Sequence, residues 1–330
     1  MFTSSLIPLV LVALPMALGV PIRKSGFQSQ VIYQSPNSLF LENIAVRADS
    51  NLLLTSVASP TLFTLDPTTI NGTLDAVHTF PNATSITGIT EFLPEVFAVA
   101  VSELDTTTRR TKPNTTVIWG VDFSTAEPQT LGRLPGNASA NGLATIPGHP
   151  DVILAADSNL GVVWQVDTRS GATRQVIKDA SMLPNAPPPA LGINGLHVAQ
   201  VGNSQFLYFT NSAQGTFSRV AIGVEMGVVK TAAEIQTLLN LQPDGQAPDD
   251  FVMDPQGRAW VAVHPGALDL LSVPRNGNGS WSQQTIAGNT QGSDPGLLQA
   301  TSAAFGRGSQ KNALFVTTGA GQVVKVNMGV

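Results

Sequence analysis

Six polar residues recur at nearly even spacing along the chain, each at the start of an apolar run. They are Glu42, Thr87, Asn141, Asn194, Asp249 and Thr301, separated by 45, 54, 53, 55 and 52 positions. All six side chains carry oxygen, and two are carboxylates. Such oxygens bind hard cations, and they also hydrogen-bond small polar groups. If the fold brings the six positions together, the sequence predicts one polar centre with one of these two chemistries.

The segments that must position these residues form a repeat. Six units each contain an inner segment, a strongly apolar run and a further run, as in ANGLATI, VILAADS and GVVWQVD of the third unit. Several units add an outer strand, such as TRQVIK. Four antiparallel strands at this period are typical of propeller blades. The predicted fold is therefore all-β, a six-bladed β-propeller of four-stranded antiparallel blades.

The two ends of the chain are expected to meet. The last unit ends at Val330 without an outer strand, and the segment FQSQVIYQ near the N-terminus is free to supply it. This pairing would close the ring and remove two open sheet edges. A pair of β-sandwiches is the rival fold, but no linker lies near the midpoint. The stretch TAAEIQTLLNLQ, at 231–242, predicts a short helix between strands.

Two copies of Asn-Gly-Leu, beginning at Asn141 and Asn194, decide where the polar centre lies. Asn-Gly usually marks a hairpin turn, because both residues tolerate positive φ. The repeat instead places both copies at the start of the innermost strands, where glycine allows close backbone approach. We interpret both Asn side chains as channel residues. The predicted metal ligands are Glu42, Asn194 and Asp249, and a hydrogen-bonded polar plug without metal is the open alternative.

Composition excludes several classes of partner. The net charge is −5 and the pI is about 5.3, which argues against nucleic acid or an anionic membrane, since both require basic surface. We expect a monomer that acts on a small molecule. The chain has no cysteine, and a core of this size does not need disulfides.

The N-terminus predicts entry into the secretory pathway. Residues 1–19 carry no charge and contain an apolar run that is too short to span a bilayer, so they are interpreted as a signal peptide preceding one domain at 20–330. Five Asn-x-Ser/Thr sequons support a secreted or vesicular location. The predicted glycosylation sites are Asn71, Asn82, Asn114, Asn137 and Asn278.

Familiar hydrolytic motifs are missing from the sequence. It has no Gly-x-Ser-x-Gly elbow, no cysteine nucleophile and no His-Glu-x-x-His zinc motif. Of the four histidines, His264 is the best functional candidate, because it ends a strand next to the channel. Segment 102–116 is interpreted as an inter-strand loop that is long enough to form a lid.

The residues at the strand starts also carry a resemblance. The chain resembles the gluconolactonase and regucalcin (senescence-marker-protein) family of six-bladed propellers, through LENIAV at Glu42, INGLHV at Asn194 and APDDF at Asp249. The resemblance implies a divalent cation, Ca²⁺ or Mg²⁺, on these three residues and substrate binding by Asn141. It also implies hydrolysis of a sugar lactone, with an Asp as base.

Two departures weaken that implication. Asp250 replaces the glycine of the Pro-Asp-Gly motif, and Ser139 replaces an Arg that the family uses near its substrate. Phrases such as FLENIAVRADSNLLLT, DSNLGVVWQVDTRSG and YFTNSAQGTFSRV are similar to a fungal branch of secreted propellers. That branch includes hetero-Diels–Alderases, which join a tropolone quinone methide to a humulene-type sesquiterpene.

Three functions therefore stand as hypotheses. The first is a pericyclase that needs no cofactor, since holding two partners in one pose can supply roughly 7–11 kcal/mol. The second is a metal-dependent lactonase or esterase, and the third is a non-catalytic binding propeller. Asn141, Asn194 and Asp249 are the predicted catalytic residues. The predicted substrate-binding residues are Thr87, Asn141, Asp157, Ser158, Thr210, Asn211, His264 and Thr301.

Overall fold

A computed structural model describes residues 27–329 except 38, 126, 188, 242–245, 274–279 and 290–295. Its strands, numbered along the chain, form six consecutive sheets, or blades. Blade 1 contains β2 (Leu41–Val46), β3 (Leu52–Ser56), β4 (Thr61–Leu65) and β5 (Asp75–Thr79). Blade 2 contains β6 (Ser85–Leu93), β7 (Val96–Ser102), β10 (Val117–Asp122) and β11 (Gln129–Arg133). Blade 3 contains β12 (Ala140–Ile146), β13 (His149–Asp157), β14 (Val162–Asp167) and β15 (Thr173–Lys178).

The second half of the chain repeats this arrangement. Blade 4 contains β16 (Ile193–Val201), β17 (Ser204–Asn211), β18 (Thr216–Glu225), β19 (Val228–Thr231) and β20 (Gln236–Asn240). Blade 5 contains β21 (Ala247–Met253), β22 (Ala259–His264), β23 (Ala267–Ser272) and β24 (Ser282–Gly288). Blade 6 contains β25 (Ala300–Phe305), β26 (Ala313–Thr318), β27 (Gln322–Asn327) and β1 (Gln28–Gln34). A short hairpin of β8 (Leu104–Asp105) and β9 (Arg110–Thr111) lies between β7 and β10.

The first strand of each blade contacts the first strand of both neighbouring blades, which closes the ring. Strand β1 completes blade 6 by pairing antiparallel with β27, with Gln28 opposite Asn327. The fold is thus the six-bladed β-propeller that the sequence predicts, closed by the N-terminal strand.

The helix predicted at 231–242 is wrong. Gln236–Asn240 instead forms β20, which pairs with β18 at the edge of blade 4. The apolar residues Ile235, Leu238 and Leu239 have helix-like spacing, but they cover blade faces beside two neighbouring cores. Tertiary packing overrides local propensity here. Among the described residues, the helices are 3₁₀ turns at Ala180–Met182 and Gly308–Gln310, and no helix has the length and apolarity needed to cross a bilayer.

The hydrophobic core is divided among the gaps between blades. Six clusters of buried apolar residues each join two adjacent blades, such as the one that packs Leu154 of blade 3 against Phe209 of blade 4. Inner strands such as β3 are buried along their whole length, because a blade is covered on both faces. Stacking of the blades therefore holds the first strands in place around a central channel.

Each first strand contains a β-bulge near its beginning. The ladder register shifts between Leu41 and Ile44 in blade 1, and at the equivalent point in the other five blades. The six evenly spaced polar residues all lie within or beside these bulges. A bulge turns a side chain away from the regular alternation. The repeat thus places six polar side chains, each turned by a bulge, around one end of the channel.

Candidate functional site

A cavity opens at the end of the channel where the first strands begin. It has a volume of about 140 Å³, which is room for roughly five water molecules at about 30 Å³ each. Its polar lining includes six residues that the sequence singles out, namely Glu42, Thr87, Asn141, Ser158, Asp249 and His264. Its apolar lining is formed by Phe40, Val57, Leu104, Ala140 and Leu191.

Glu42 is the most strongly perturbed carboxyl group of the cavity. Its side chain is buried, and burial raises its pKa well above the ordinary value. The negative charge of Asp249 raises this pKa further, whereas the Arg109 guanidinium and a hydrogen bond with Asn141 oppose the increase. A carboxyl group whose pKa is raised in this way keeps its proton to a higher pH than an exposed one, and a protonated carboxyl group can donate a hydrogen bond.

Asp249 and His264 form a pair at the side of the cavity. The Nε2 atom of His264 lies 2.9 Å from Oδ2 of Asp249. The His264 side chain keeps 30% of its surface exposed, whereas that of Asp249 keeps 10%. The carboxylate thus fixes an imidazole ring that remains accessible to a ligand. With Nε2–H donated to Asp249, the neutral ring presents Nδ1 as an acceptor to a ligand, and the protonated ring presents an Nδ1–H donor.

Among the described residues, two buried side-chain amide oxygens have no hydrogen-bond partner. They are Oδ1 of Asn141 and Oδ1 of Asn194, whose Nδ2 group donates to Ser212 Oγ at 2.9 Å. Glu42, Asp249 and Asn141 line the cavity, whereas Asn194 lies outside its lining. All four side chains carry oxygen donors of the kind that a hard divalent cation takes. Among the described residues, no group of three or more His, Cys, Asp and Glu side chains is arranged to hold a metal ion. Any such cation would therefore depend on the two amide oxygens.

Several predicted substrate-binding hydroxyl groups bridge one blade to the next. The hydroxyl group of Thr87 donates to the carbonyl of Ala140 at 2.8 Å, and that of Ser158 donates to Ile193 at 2.6 Å. These two residues also line the cavity. Two others, outside its lining, make equivalent bonds, Thr210 Oγ1 to Asp249 O at 2.6 Å and Thr301 Oγ1 to Leu41 O at 2.8 Å. These bonds fix the bulges against each other.

Asp157 and Asn211 lie at the ends of second strands, away from the cavity lining. Asp157 Oδ2 accepts a hydrogen bond from the Trp164 indole at 3.0 Å, and its Oδ1 accepts from the following turn. The Asn211 amide donates to the carbonyls of Ser181 and Leu183. Asn211 thereby holds the loop that carries Leu191 to the cavity rim. In this structure, both polar side chains are engaged by the protein itself.

A second polar layer follows the first along the strands. Asn43 Nδ2 donates to Asp250 Oδ2 at 2.7 Å, and Ser302 Oγ donates to Asn43 Oδ1 at 2.9 Å. Burial raises the pKa of Asp250 to about 7. At the equivalent positions of blades 2, 3 and 4 the layer has glycines, namely Gly88, Gly142 and Gly195. A Cβ atom on Gly195 would lie only 2.3 Å from Asp250 Oδ1. Asp250, which departs from the family pattern, thus fills space that a glycine leaves open.

This second layer faces the other end of the channel. A separate cavity of about 320 Å³ opens there, lined by Asn43, Asp250 and His197. Burial lowers the pKa of His197 to about 4, so its imidazole is neutral at physiological pH. The polar layer of Asn43, Asp250 and Ser302 lies between the two cavities.

Sequence reasoning missed the residues that loops bring to the cavity. Phe40 and Leu191 come from segments that precede first strands, and Arg109 comes from the β8–β9 hairpin. The available signal for Arg109 was the length of segment 102–116, which suggested a lid without identifying any residue.

The four described sequon residues, Asn71, Asn82, Asn114 and Asn137, are exposed. Asn278 and the predicted signal peptide lie outside the described residues.

The fold and the site define a six-bladed β-propeller with a cavity at one end of its channel. No known protein-family model matches the sequence. The chain is similar to a candidate hetero-Diels-Alderase of Phoma sp., with 26% identity over 88% of this chain and 86% of that protein. A second candidate hetero-Diels-Alderase, from Sarocladium schorii, is 24% identical over 88% of this chain and 78% of its own length.

Solved structures support the fold. A gluconolactonase of Xanthomonas campestris superposes with a TM-score of 0.58 and 15% identity, over 92% of this chain and 91% of that chain. The calcium-binding protein regucalcin of Agrobacterium tumefaciens gives a TM-score of 0.59 and 16% identity, over 91% of this chain and 93% of that chain. The resemblance to gluconolactonase and regucalcin propellers therefore extends to the whole ring, while the more similar sequences carry the hetero-Diels-Alderase name.

Proposed function

We propose that this protein is an enzyme that catalyses a hetero-Diels–Alder cycloaddition between two small apolar molecules that meet at the open mouth of the cavity where the first strands begin. The observation that carries the proposal is the arrangement of the lining, in which polar groups cluster beside the apolar side chains of Phe40, Leu104 and Leu191. The similarity to two candidate hetero-Diels-Alderases along 88% of the chain supports the same reaction.

The proposed mechanism uses binding and hydrogen bonding. Apolar walls hold the diene and the alkene in one relative pose, which lowers the entropic part of the barrier. A donor placed at the carbonyl oxygen of the diene stabilises the charge that develops there in the transition state. The proposed donors are the carboxyl group of Glu42 in its protonated form and the Nδ1–H of His264 in its imidazolium form, whose Nε2–H is held by Asp249. New carbon–carbon and carbon–oxygen bonds form together, so no nucleophile is required.

The test is product formation from a tropolone quinone methide generated in solution and a humulene-type sesquiterpene. Adduct yield and enantiomeric excess are measured by chiral chromatography and mass spectrometry, with heat-inactivated protein as the control. The proposal predicts an enantiomerically enriched adduct, formed faster than in the control. A racemic adduct at the control rate contradicts it, and saturable binding without turnover would support the binding-propeller hypothesis.

A metal-dependent lactonase is the second candidate, and the unpartnered Oδ1 atoms of Asn141 and Asn194 favour it. With the carboxylates of Glu42 and Asp249, they would hold Ca²⁺ or Mg²⁺. When bound, the cation would polarise a lactone carbonyl. Asp249 would orient or deprotonate the attacking water. Hydrolysis of a sugar lactone that requires added Ca²⁺ or Mg²⁺, and that Glu42→Ala abolishes, would establish this candidate in place of the first.

We also propose that the protein enters the secretory pathway and carries glycans on its exposed sequons. The exposure of Asn71, Asn82, Asn114 and Asn137 is compatible with modification. Expression in a fungal host, followed by peptide-N-glycosidase treatment and mass spectrometry, tests both points. An unmodified protein retained in the cytosol would contradict them.

A further inference from the structure

The β8–β9 hairpin covers one side of the cavity mouth. It leaves blade 2 after β7, and Leu104, Thr106, Arg109 and Thr111 line the cavity beside Glu42. Arg109 and Arg110 are consecutive, yet they face different spaces. Arg109 lines the cavity, whereas Arg110 lines the outer groove of the hairpin. The hairpin therefore presents one arginine to a ligand and directs its neighbour elsewhere.

Hydrogen bonds to blade 3 fix the hairpin in this position. The hydroxyl groups of Thr111 and Ser139 are 2.8 Å apart, and Asn159 Nδ2 donates to the backbone carbonyl of Arg109 at 3.1 Å. Arg109 itself has a φ of +53°. A non-glycine residue adopts this left-handed conformation at a cost, which the surrounding contacts must offset. The carbonyl bond from Asn159 thus holds a backbone conformation that directs Arg109 toward the cavity.

The charge of Arg109 has no close partner in the part of the chain that the structure describes. Its guanidinium group forms no ion pair and no hydrogen bond there, although its charge influences Glu42. The carboxylate of Asp249 is already engaged by His264. The cavity mouth therefore carries a guanidinium group that has no ion-paired or hydrogen-bonded partner among the described residues.

We propose that Arg109 is the residue that selects the substrate, by binding an ionised oxygen of an otherwise apolar molecule. The ligand class is an organic anion, a carboxylate or an enolate, whose apolar body packs against Phe40, Leu104 and Leu191. Arg binds such oxygens through two parallel N–H donors. This inference rests on the proposed function in assuming that the cavity binds the reacting molecule.

The test uses two probes of the same shape, 1-naphthoate and 1-naphthamide, with dissociation constants measured by calorimetry at pH 7.5. We expect the wild-type protein to bind the anion about tenfold or more tightly than the amide, as for charge-assisted hydrogen bonds. Arg109→Gln should remove this preference while leaving amide binding within about twofold. Arg110→Gln removes the same charge from the outer groove, and it should behave as wild type.

Several outcomes would overturn the inference. These are an anion preference that persists in Arg109→Gln, an equal loss in Arg110→Gln, and no binding of either probe at millimolar concentration. Arg109→Lys provides a second variant, which should retain part of the preference because it keeps the charge without the planar fork. The binding preference is measured without turnover. Failure of cycloaddition alongside an Arg109-dependent preference would therefore contradict the proposed function and leave this inference standing.

Discussion

His264 Nε2 lies 2.9 Å from Asp249 Oδ2, although the two residues belong to the end of one strand and the beginning of another. The β21–β22 ladder places His264 opposite Ala247, and the bulge after Pro248 turns Asp249 toward it. The pair is thus a direct product of blade geometry. Among the described strands, blade 5 alone combines a carboxylate at the bulge with a histidine at the end of the second strand.

The first prediction concerns this pair. His264→Gln and Asp249→Asn should each lower kcat for adduct formation by about 10- to 100-fold, the effect of losing one charge-assisted hydrogen bond. Because the carboxylate acts through the ring, the double variant should be no slower than the slower single variant. Rates are compared at saturating substrate, with His149→Gln as the control. Multiplying losses would show that the two residues act independently.

A second prediction separates the two candidate roles of Glu42. If its protonated carboxyl group donates a hydrogen bond, Glu42→Ala should reduce adduct formation about tenfold, and Glu42→Gln should restore part of the rate. If it binds a cation, the two substitutions should be equally damaging, and chelation by EDTA should reproduce them. Rates are measured with and without EDTA, and circular dichroism verifies the fold of each variant.

A third prediction concerns the stability of the second polar layer. Because the pKa of Asp250 is raised from 3.8 to about 7, the folded protein retains a proton that the unfolded chain loses. This contribution stabilises the protein at low pH and is lost as the pH rises through about 7. Asp250→Asn should therefore gain stability relative to wild type between pH 4 and 8, by up to about 4 kcal/mol.

The measurement for Asp250 is urea unfolding of both proteins across this pH range. His197, whose pKa is lowered to about 4, has the opposite effect on stability, so the slope of the wild type alone is uninformative. The difference between variant and wild type isolates Asp250. A difference that is constant with pH would show that Asp250 is ionised throughout the range.

A fourth prediction tests the hydroxyl bonds between blades. Thr210 Oγ1 donates to Asp249 O and accepts from the Gly195 amide, both in buried surroundings. Thr210→Val leaves both groups unpaired and should lower the free energy of unfolding by about 1–3 kcal/mol. Thr79→Val is the matched control, since its bond to Thr61 is exposed. Equal effects of the two substitutions would contradict a role for buried inter-blade bonds.

Sequence periodicity predicted the ring and the location of its polar centre. The spacing from Glu42 to Thr301 identified the start of every first strand, because the repeat fixes position along a blade. It did not determine which side chains reach the cavity. Thr210 and Thr301 have the same residue type as Thr87, but their hydroxyl groups bond neighbouring strands outside the lining. Those differences arise from packing, which periodicity does not encode.

The loops were less predictable for a different reason. Segment 102–116 lies outside the repeat, so periodicity does not predict its conformation. The orientation of Arg109 depends on two hydrogen bonds, one between the hydroxyl groups of Thr111 and Ser139 and one from Asn159 to the Arg109 carbonyl. These contacts join residues that are distant in sequence and unremarkable in type. The residue types also did not show whether the polar centre binds a divalent cation or an oxygen of a substrate, since the same kinds of side chain bind both.

The pairing of β1 with β27 also constrains how the protein folds. Gln28 and Asn327 are opposite each other in one sheet, so the ring remains open until almost the whole chain has been synthesised. Such non-local pairings slow folding. During that interval, β1 has no partner strand in its own chain and can pair with other chains. Two nascent molecules could therefore exchange the strand that closes the ring. Conditions that delay synthesis of the last blade should favour such domain-swapped dimers over monomers.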